Sequence, residues 1–309
     1  MRLKEAFSLI KASGDGFLED DCQTQAAALS YYTVFSLPPL LMVLLLILGA
    51  LVDPQDIRGQ LETQIGALMG PAATEQIRTI LSQLHQPGSG GTLATTLSIV
   101  GLVLGATGAF GQLQAALNRT WGVAPDPEQG GVKAFLLKRL FSFGMVLSVG
   151  FLLLVSLVVS AVLSAFGGAL GRMLPEGLSA TLLEVINQGI SLVVITAVFA
   201  AIFKVLPDAK VAWRDVWVGA AVTAILFVVG KFLIGFYIGQ SNPGQAFGAA
   251  GSLAVLLVWI YYSSMIILFG AEFTEAWVVR RGGRIAPERG AVVVLEEKKR
   301  VRDGEVMPA

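Results

Sequence analysis

The stretch SLAVLLVWIYYSSMIILFGA (252–271) decides the fold. It runs 20 residues without a charge, the length a helix needs to cross the roughly 30 Å hydrocarbon core of a bilayer. Two more runs have the same character, LPPLLMVLLLILGALV (37–52) and GMVLSVGFLLLVSLVVSAVL (144–163). Across all 309 residues, 54% are hydrophobic and only 14% charged, against about 25% charged in ordinary soluble domains. So few charges cannot coat a water-facing surface, and the chain reads as a polytopic membrane protein. Its fold class is all-α, because backbone polar groups in hydrocarbon must be satisfied within the segment and the alternation of a barrel strand is absent.

Six transmembrane helices are predicted at about 27–52, 93–117, 138–164, 183–206, 215–239 and 252–278. Of the 22 Lys and Arg residues, eighteen fall in the N-terminal segment, the second-to-third and fourth-to-fifth connections and the C-terminal tail. Three (Arg58, Arg78, Arg172) fall on the other side, and Lys231 lies inside a span. The positive-inside rule then puts both termini in the cytoplasm. Trp121, Trp213, Trp217 and Trp277 collect at the same predicted ends, where indoles sit well at headgroup level.

Residues 1–26 form a cytoplasmic N-terminal amphipathic segment, in which Leu3, Phe7, Ile10 and Phe17 at near-helical spacing suit an interfacial helix; packing on the ends of the bundle is the alternative. The transmembrane domain takes 27–278. Its external loop, 53–92, carries apolar residues at helical spacing on either side of Gly70-Pro71, which predicts two short amphipathic helices. Residues 279–309 read as a basic, mobile tail. The pairs Gly101/Gly105 and Gly235/Gly239, each four residues apart, offer sites of close helix contact.

Several function classes lose their chemistry at this stage. With a formal net charge of +0 there is no globally basic surface for nucleic acid. One cysteine and one histidine supply neither a disulfide framework nor a multi-histidine zinc site. No phosphate-binding loop, nucleophile elbow or zincin motif occurs, so neither ATP-driven pumping nor common hydrolysis has visible residues. No cofactor, metal site or catalytic residue is expected.

The candidate pathway residues are polar groups or breaks inside spans. Pro38 and Pro39 lack the N–H groups that would bond the Val34 and Phe35 carbonyls, so the first span is expected to kink or unwind there, with Ser36 close by to heal it. Lys231 sits about 12 Å below the outer end of the fifth span, within reach of Glu184 and Gln188 of the fourth. Glu272, near the inner end of the sixth span, shares its depth with Tyr31, Tyr32 and Asn118. Together these predict a polar cavity open to the cytoplasm and closed by the proline break. A salt bridge from Glu272 to Arg119 or Lys204 that merely ties helices together is the plainer alternative.

Four ordered blocks carry a family resemblance: AAALSYYTVFSLPPLL (26–41), GAFGQLQAALNRTWGV (108–123), FKVLPDAKVAWRDVWVGA (203–220), and the stretch from KFLIGFYIGQSNPGQAFG (231–248) through GAEFTEAW (270–277). These resemble the YihY/BrkB family of bacterial inner-membrane proteins, historically mislabelled ribonuclease BN. The resemblance implies a six-span inner-membrane protein with lipid or solute transport suspected, and it supplies no agreed catalytic residues. The reading is therefore a transporter or lipid-translocating protein acting on an unidentified solute or membrane lipid without ATP hydrolysis. The alternatives are a non-catalytic scaffold for envelope machinery and, less favoured, an enzyme. Membrane lipids are the expected partners, nucleic acid is not, and a homo-oligomer is compatible with the glycine pairs.

Overall fold

The structure, a computed structural model, describes residues 3–49, 71–83, 108–129, 178–241 and 250–294, the strands at 300–302 and 305–307, and the isolated positions 59, 62 and 66. The predicted third span and most of the second lie outside the described residues. The helices are α1 (Leu3–Glu19), α2 (Cys22–Gly49), α3 (Pro71–Gln83), α4 (108–120), α5 (Leu178–Val205), α6 (Trp213–Ser241) and α7 (Gly251–Arg280). Among the described residues three of these, in α5, α6 and α7, are long and apolar enough to cross a membrane. At 28 to 30 residues each they measure about 42–45 Å and overshoot the hydrocarbon core.

Helix α7 is the centre of the packing. It runs antiparallel to α6, with Gly219 against Thr274, Thr223 against Gly270, and Gly230 against Tyr262 and Ile266. It is also antiparallel to α2, whose Cys22 meets Glu272 while Val34 and Leu37 pack on Leu256 and Ile260. Helix α5 closes on α6 through Phe199 and Phe227, ring centroids 5.7 Å apart, and Phe227 reaches Trp259 of α7 at 5.7 Å. The main core gathers Leu117, Phe203, Val216, Ala220 and Leu268 from four helices.

The close α6–α7 approach uses a Gly-xxx-Thr pair on each helix. The Thr223 hydroxyl donates to the Gly219 carbonyl (2.8 Å) and the Thr274 hydroxyl to the Gly270 carbonyl (2.7 Å), so each threonine satisfies its own polar group while its side chain packs against the partner's glycine, hydroxyl oxygen nearest. Gly235 is exposed, with nothing within 4 Å among the described residues, and the close contacts seen on this helix pair are at Gly219 and Gly270; the surroundings of Gly239 lie outside the described residues. Gly101 and Gly105 lie outside the described residues.

Helix α1 packs along the last three turns of α7, with Phe17 on Phe269 (6.2 Å) and the Arg280 guanidinium donating to the Glu5 carbonyl and to the Ser8 hydroxyl. Its opposite face leaves Phe7, Ile10 and Leu18 exposed beside Lys4 and Lys11. Asp21, at φ 54°, turns the chain between α1 and α2, a left-handed conformation that Asp tolerates better than most residues. At the far end of α7, Ser252 donates to Gln76 of α3 (2.7 Å), and Arg78 of α3 pairs with Glu62 (2.7 Å).

The chain after α7 departs from the expected mobile tail. Gly282, at φ 74°, turns it back, and β3 (Ala286–Pro287) and β4 (Ala291–Val293) pair antiparallel with β2 (Ala209–Lys210) and β1 (Val123–Pro125). The Glu288 N–H bonds the Asp208 carbonyl (2.9 Å) and the Val294 N–H the Gly122 carbonyl (2.8 Å). These ladders, with a separate hairpin of β5 (Arg300–Arg302) and β6 (Glu305–Met307), qualify the all-α expectation: the fold is mainly helical with a small β clasp over one end. The reason is pairing across the chain, since segments 122–126 and 207–212 offer backbone groups that the returning chain satisfies.

Candidate functional site

The tryptophan-bearing end of the bundle contains a cavity of about 820 Å³, within the roughly 300–1,000 Å³ usual for ligand sites. Its wall comes from the α1–α2 turn (Glu19, Asp20), from α4 (Gly111, Gln114, Asn118, Arg119), from β1 and from Asp208 after α5; Val294 of the clasp completes it. The small residues Gly111, Ala115, Gly122 and Ala124 leave the room.

One polar network fixes the cavity's back wall. Asn118 is buried and holds Asp208 at two points: its amide donates to Oδ2 (2.8 Å) and its carbonyl oxygen accepts the Asp208 N–H (2.8 Å). Gln114, one turn earlier on α4, donates to the same Oδ2 (3.1 Å). The carboxylate direction is therefore set by α4, while its position is set by the clasp through Glu288. Helix α4 is itself anchored by the Trp121 indole, which donates to the Ala271 carbonyl of α7 (3.1 Å).

Behind this cavity lies a second junction, at Glu272. The side chain is buried against Gly16 of α1, where any Cβ would collide with its carboxylate. The Cys22 thiol donates to Glu272 Oε1 (3.5 Å) and lies 3.9 Å from the Thr120 hydroxyl, and the Asp20 carboxyl lies close to Glu272. Glu272 thus joins α1, α2, α4 and α7. Neither partner suggested by the salt-bridge alternative has this role: Lys204 donates to the Val211 carbonyl (2.6 Å), and Arg119 lines the cavity. Because Cys22 is only 1% exposed, it is expected to resist maleimide in the folded protein and to label fully after denaturation. Mass measurement of the adduct checks this, and rapid labelling of folded protein would show that the junction opens.

The remaining candidates are scattered. Tyr31 and Tyr32 are exposed, edge to face at 5.9 Å, with Tyr31 tilted against Phe35 at 4.7 Å. Ser36 is buried and donates to the Thr33 carbonyl (2.9 Å). Helix α2 is continuous through Pro38 and Pro39, which corrects the expected break. Two missing N–H groups cost only two ladder bonds, and the intact bonds on either side keep the helix in register. Lys231 is half-buried with its amine 5.7 Å from the Phe232 ring centroid, and Gln188 is exposed. The side chains of Glu184 and Pro39 lie outside the described residues. Of Tyr31, Tyr32, Asn118 and Glu272, expected to share a cavity, Asn118 is the one that lines it among the described residues.

Sequence reasoning missed Asp208 and Gln114. Their available signals were the position of Asp208 just after an apolar span and the spacing of Gln114 one turn before Asn118, which places both amides on one helix face.

The chain matches the family model described as Virulence factor BrkB over residues 14–292. It is 30% identical over 282 residues to a UPF0761 membrane protein of Alcanivorax borkumensis, covering 90% of this chain and 62% of the relative. A Pseudomonas aeruginosa UPF0761 membrane protein is 32% identical, covering 82% and 59%. A Bacillus subtilis relative named ribonuclease-like protein YfkH is 27% identical, covering 81% and 88%. The chain thus spans about three fifths of the length of the first two relatives. No solved structure matches it.

Proposed function

The chain belongs to the Virulence factor BrkB family of membrane proteins, and from that premise we propose that it is a transporter or lipid-translocating protein of the bacterial inner membrane, working without nucleotide hydrolysis. The observation that carries this reading is the cavity of about 820 Å³ with mixed polar and apolar walls at the end of the membrane-crossing helices. A scaffold has no need of such a space, and its small-residue lining keeps it open. The buried Glu272 junction adds a polar contact between α1, which flanks the cavity, and the central helix α7. In this reading both termini and the cavity face the cytoplasm, and residues 53–92 face outward, on the asymmetry of eighteen basic residues against three.

Orientation is tested by a cysteine at Ser89 in a Cys22→Ala background. It is expected to react with an impermeant maleimide on intact spheroplasts; reaction only after the inner face is opened would invert the topology. Function is tested in nucleotide-free proteoliposomes holding a tail-labelled fluorescent lipid or a trapped solute. Dithionite is expected to bleach label beyond the outer-leaflet fraction, or solute to exchange faster than in empty vesicles. Vesicles indistinguishable from protein-free controls in both assays would refute the proposal.

A further inference from the structure

The start of α6 and the end of α7 meet at Asp215, and the charges there do not balance. Asp215 Oδ1 accepts the Trp277 indole N–H (3.2 Å) and faces two guanidiniums, Arg281 Nη1 at 3.5 Å and Arg214 Nε at 3.8 Å. One buried carboxylate oxygen thus serves two cations, which leaves the cluster net positive. Arg281 is otherwise seated on the Trp277 ring, 5.5 Å from its centroid. Arg214 is 70% exposed in its side chain, and 3.8 Å is too long for a hydrogen bond, so its fork of N–H donors is uncommitted among the described residues. The first turn of a 29-residue helix adds the positive end of its dipole. An anion that takes two guanidiniums at once would complete the cluster, and a phosphate has that geometry.

The surface below Arg214 identifies what carries the phosphate. At about 100° per residue, Ile225 and Phe232 fall within about 20° of Arg214 around the α6 axis, and Trp217 and Val229 within about 60°. All four are exposed, so Arg214 heads an apolar stripe. Half of the roughly 30 Å hydrocarbon core corresponds to about ten residues of helix, which takes an acyl chain from Arg214 to the level of Ile225. The indoles of Trp213 and Trp217, both exposed beside Arg214, mark headgroup depth, and the Lys204 amine lies 5.7 Å from the Trp213 ring centroid. A soluble anion or an acidic peptide would leave the stripe unused. A choline or ethanolamine headgroup would bring its own cation against the guanidiniums, whereas a glycerol headgroup brings none.

We propose that the α6–α7 junction is a binding site for an anionic phospholipid with an uncharged headgroup, its phosphodiester on Arg214 and Arg281 and an acyl chain along Trp217 and Ile225. The site lies apart from the cavity and does not depend on the transport reading.

Native mass spectrometry of the full chain in detergent tests it, titrating dioleoyl phosphatidylglycerol, its phosphatidylcholine analogue and glycerol 3-phosphate. The glycerol lipid is expected to bind at least about tenfold more tightly than the choline lipid, the worth of one charge-assisted hydrogen bond. Glycerol 3-phosphate is expected not to bind at those concentrations. Arg214→Gln is expected to remove most of the preference and to fold normally, because it breaks only the 3.8 Å contact. Arg281→Gln is expected to do the same, with a monodisperse elution peak as the check on folding; if it does not fold, Arg214→Gln decides. Lys11→Gln, which removes an exposed charge from α1, is expected to keep the wild-type preference. Equal binding of the two lipids, wild-type preference in Arg214→Gln, or an equal loss in Lys11→Gln would overturn the site. Glycerol 3-phosphate binding as tightly as the glycerol lipid would overturn the lipid assignment.

Discussion

Gly219→Ala and Gly270→Ala are each expected to prevent the α6–α7 pair from closing, and so to cost the protein its fold. A Cβ at Gly219 would sit on the Thr274 hydroxyl with the Thr274 Cβ at 3.0 Å, and a Cβ at Gly270 would sit on the Thr223 hydroxyl with its Cβ at 2.9 Å. Neither threonine can turn away cheaply. Each is fully buried and bonded to a carbonyl of its own helix, at 2.7 and 2.8 Å. The helices must separate instead, giving up contact along a seam that extends to Gly230 and Tyr262. Overpacking usually costs roughly 1–3 kcal/mol, and this rigid contact should reach or exceed the top of that range. Size-exclusion melting curves in detergent check it, with either variant expected to lose its monodisperse peak or to melt well below wild type. Gly235→Ala, on an exposed face with nothing within 4 Å among the described residues, is expected to be neutral or stabilising by up to about 1 kcal/mol from helix propensity. Equal stability of the Gly219 and Gly235 variants would show that the close seam is absent.

Glu272→Gln is expected to lower flux about tenfold or more while leaving the protein inserted and monodisperse. Glutamine keeps the shape that fits against Gly16, can still accept the Cys22 thiol and can donate its amide to Asp20, so what it removes is the ionisable carboxyl of the junction. Asp20 lines the cavity, so the change of charge reaches the site through the α1–α2 turn. The reconstituted flux assay is the measurement, with the melting curve as its control. Wild-type flux would confine Glu272 to holding α1, α2, α4 and α7 together, and unfolding would assign it that structural role outright.

Much of the architecture was legible in the residues because membrane insertion is a local property. Whether residues 252–271 can cross a bilayer depends on their own summed hydropathy, and α7 indeed runs from Gly251 to Arg280. The fifth span, expected at 215–239, appears as α6 at Trp213–Ser241, and the amphipathic spacing after Gly70 appears as α3. Asn118, expected at the depth of Glu272, bonds Asp208 instead, and Glu272 lies at the adjoining junction.

What the sequence by itself determined is a helical membrane protein, since hydropathy is a property of consecutive residues. The tertiary structure alone decided which small residues touch. Gly235-xxx-Gly239 and Gly219-xxx-Thr223 read equally well, and only the rotation of α6 about its axis against α7 selects the second. It alone brought Glu19 and Asp20, at the end of α1, into one cavity wall with Asp208, nearly two hundred residues away. It also folded residues 286–294 back as strands, because the partners of those backbone groups lie on two distant connections. Depth along a helix is written in its sequence; azimuth and partner are fixed only when every helix packs at once, because a contact energy depends on both surfaces that make it.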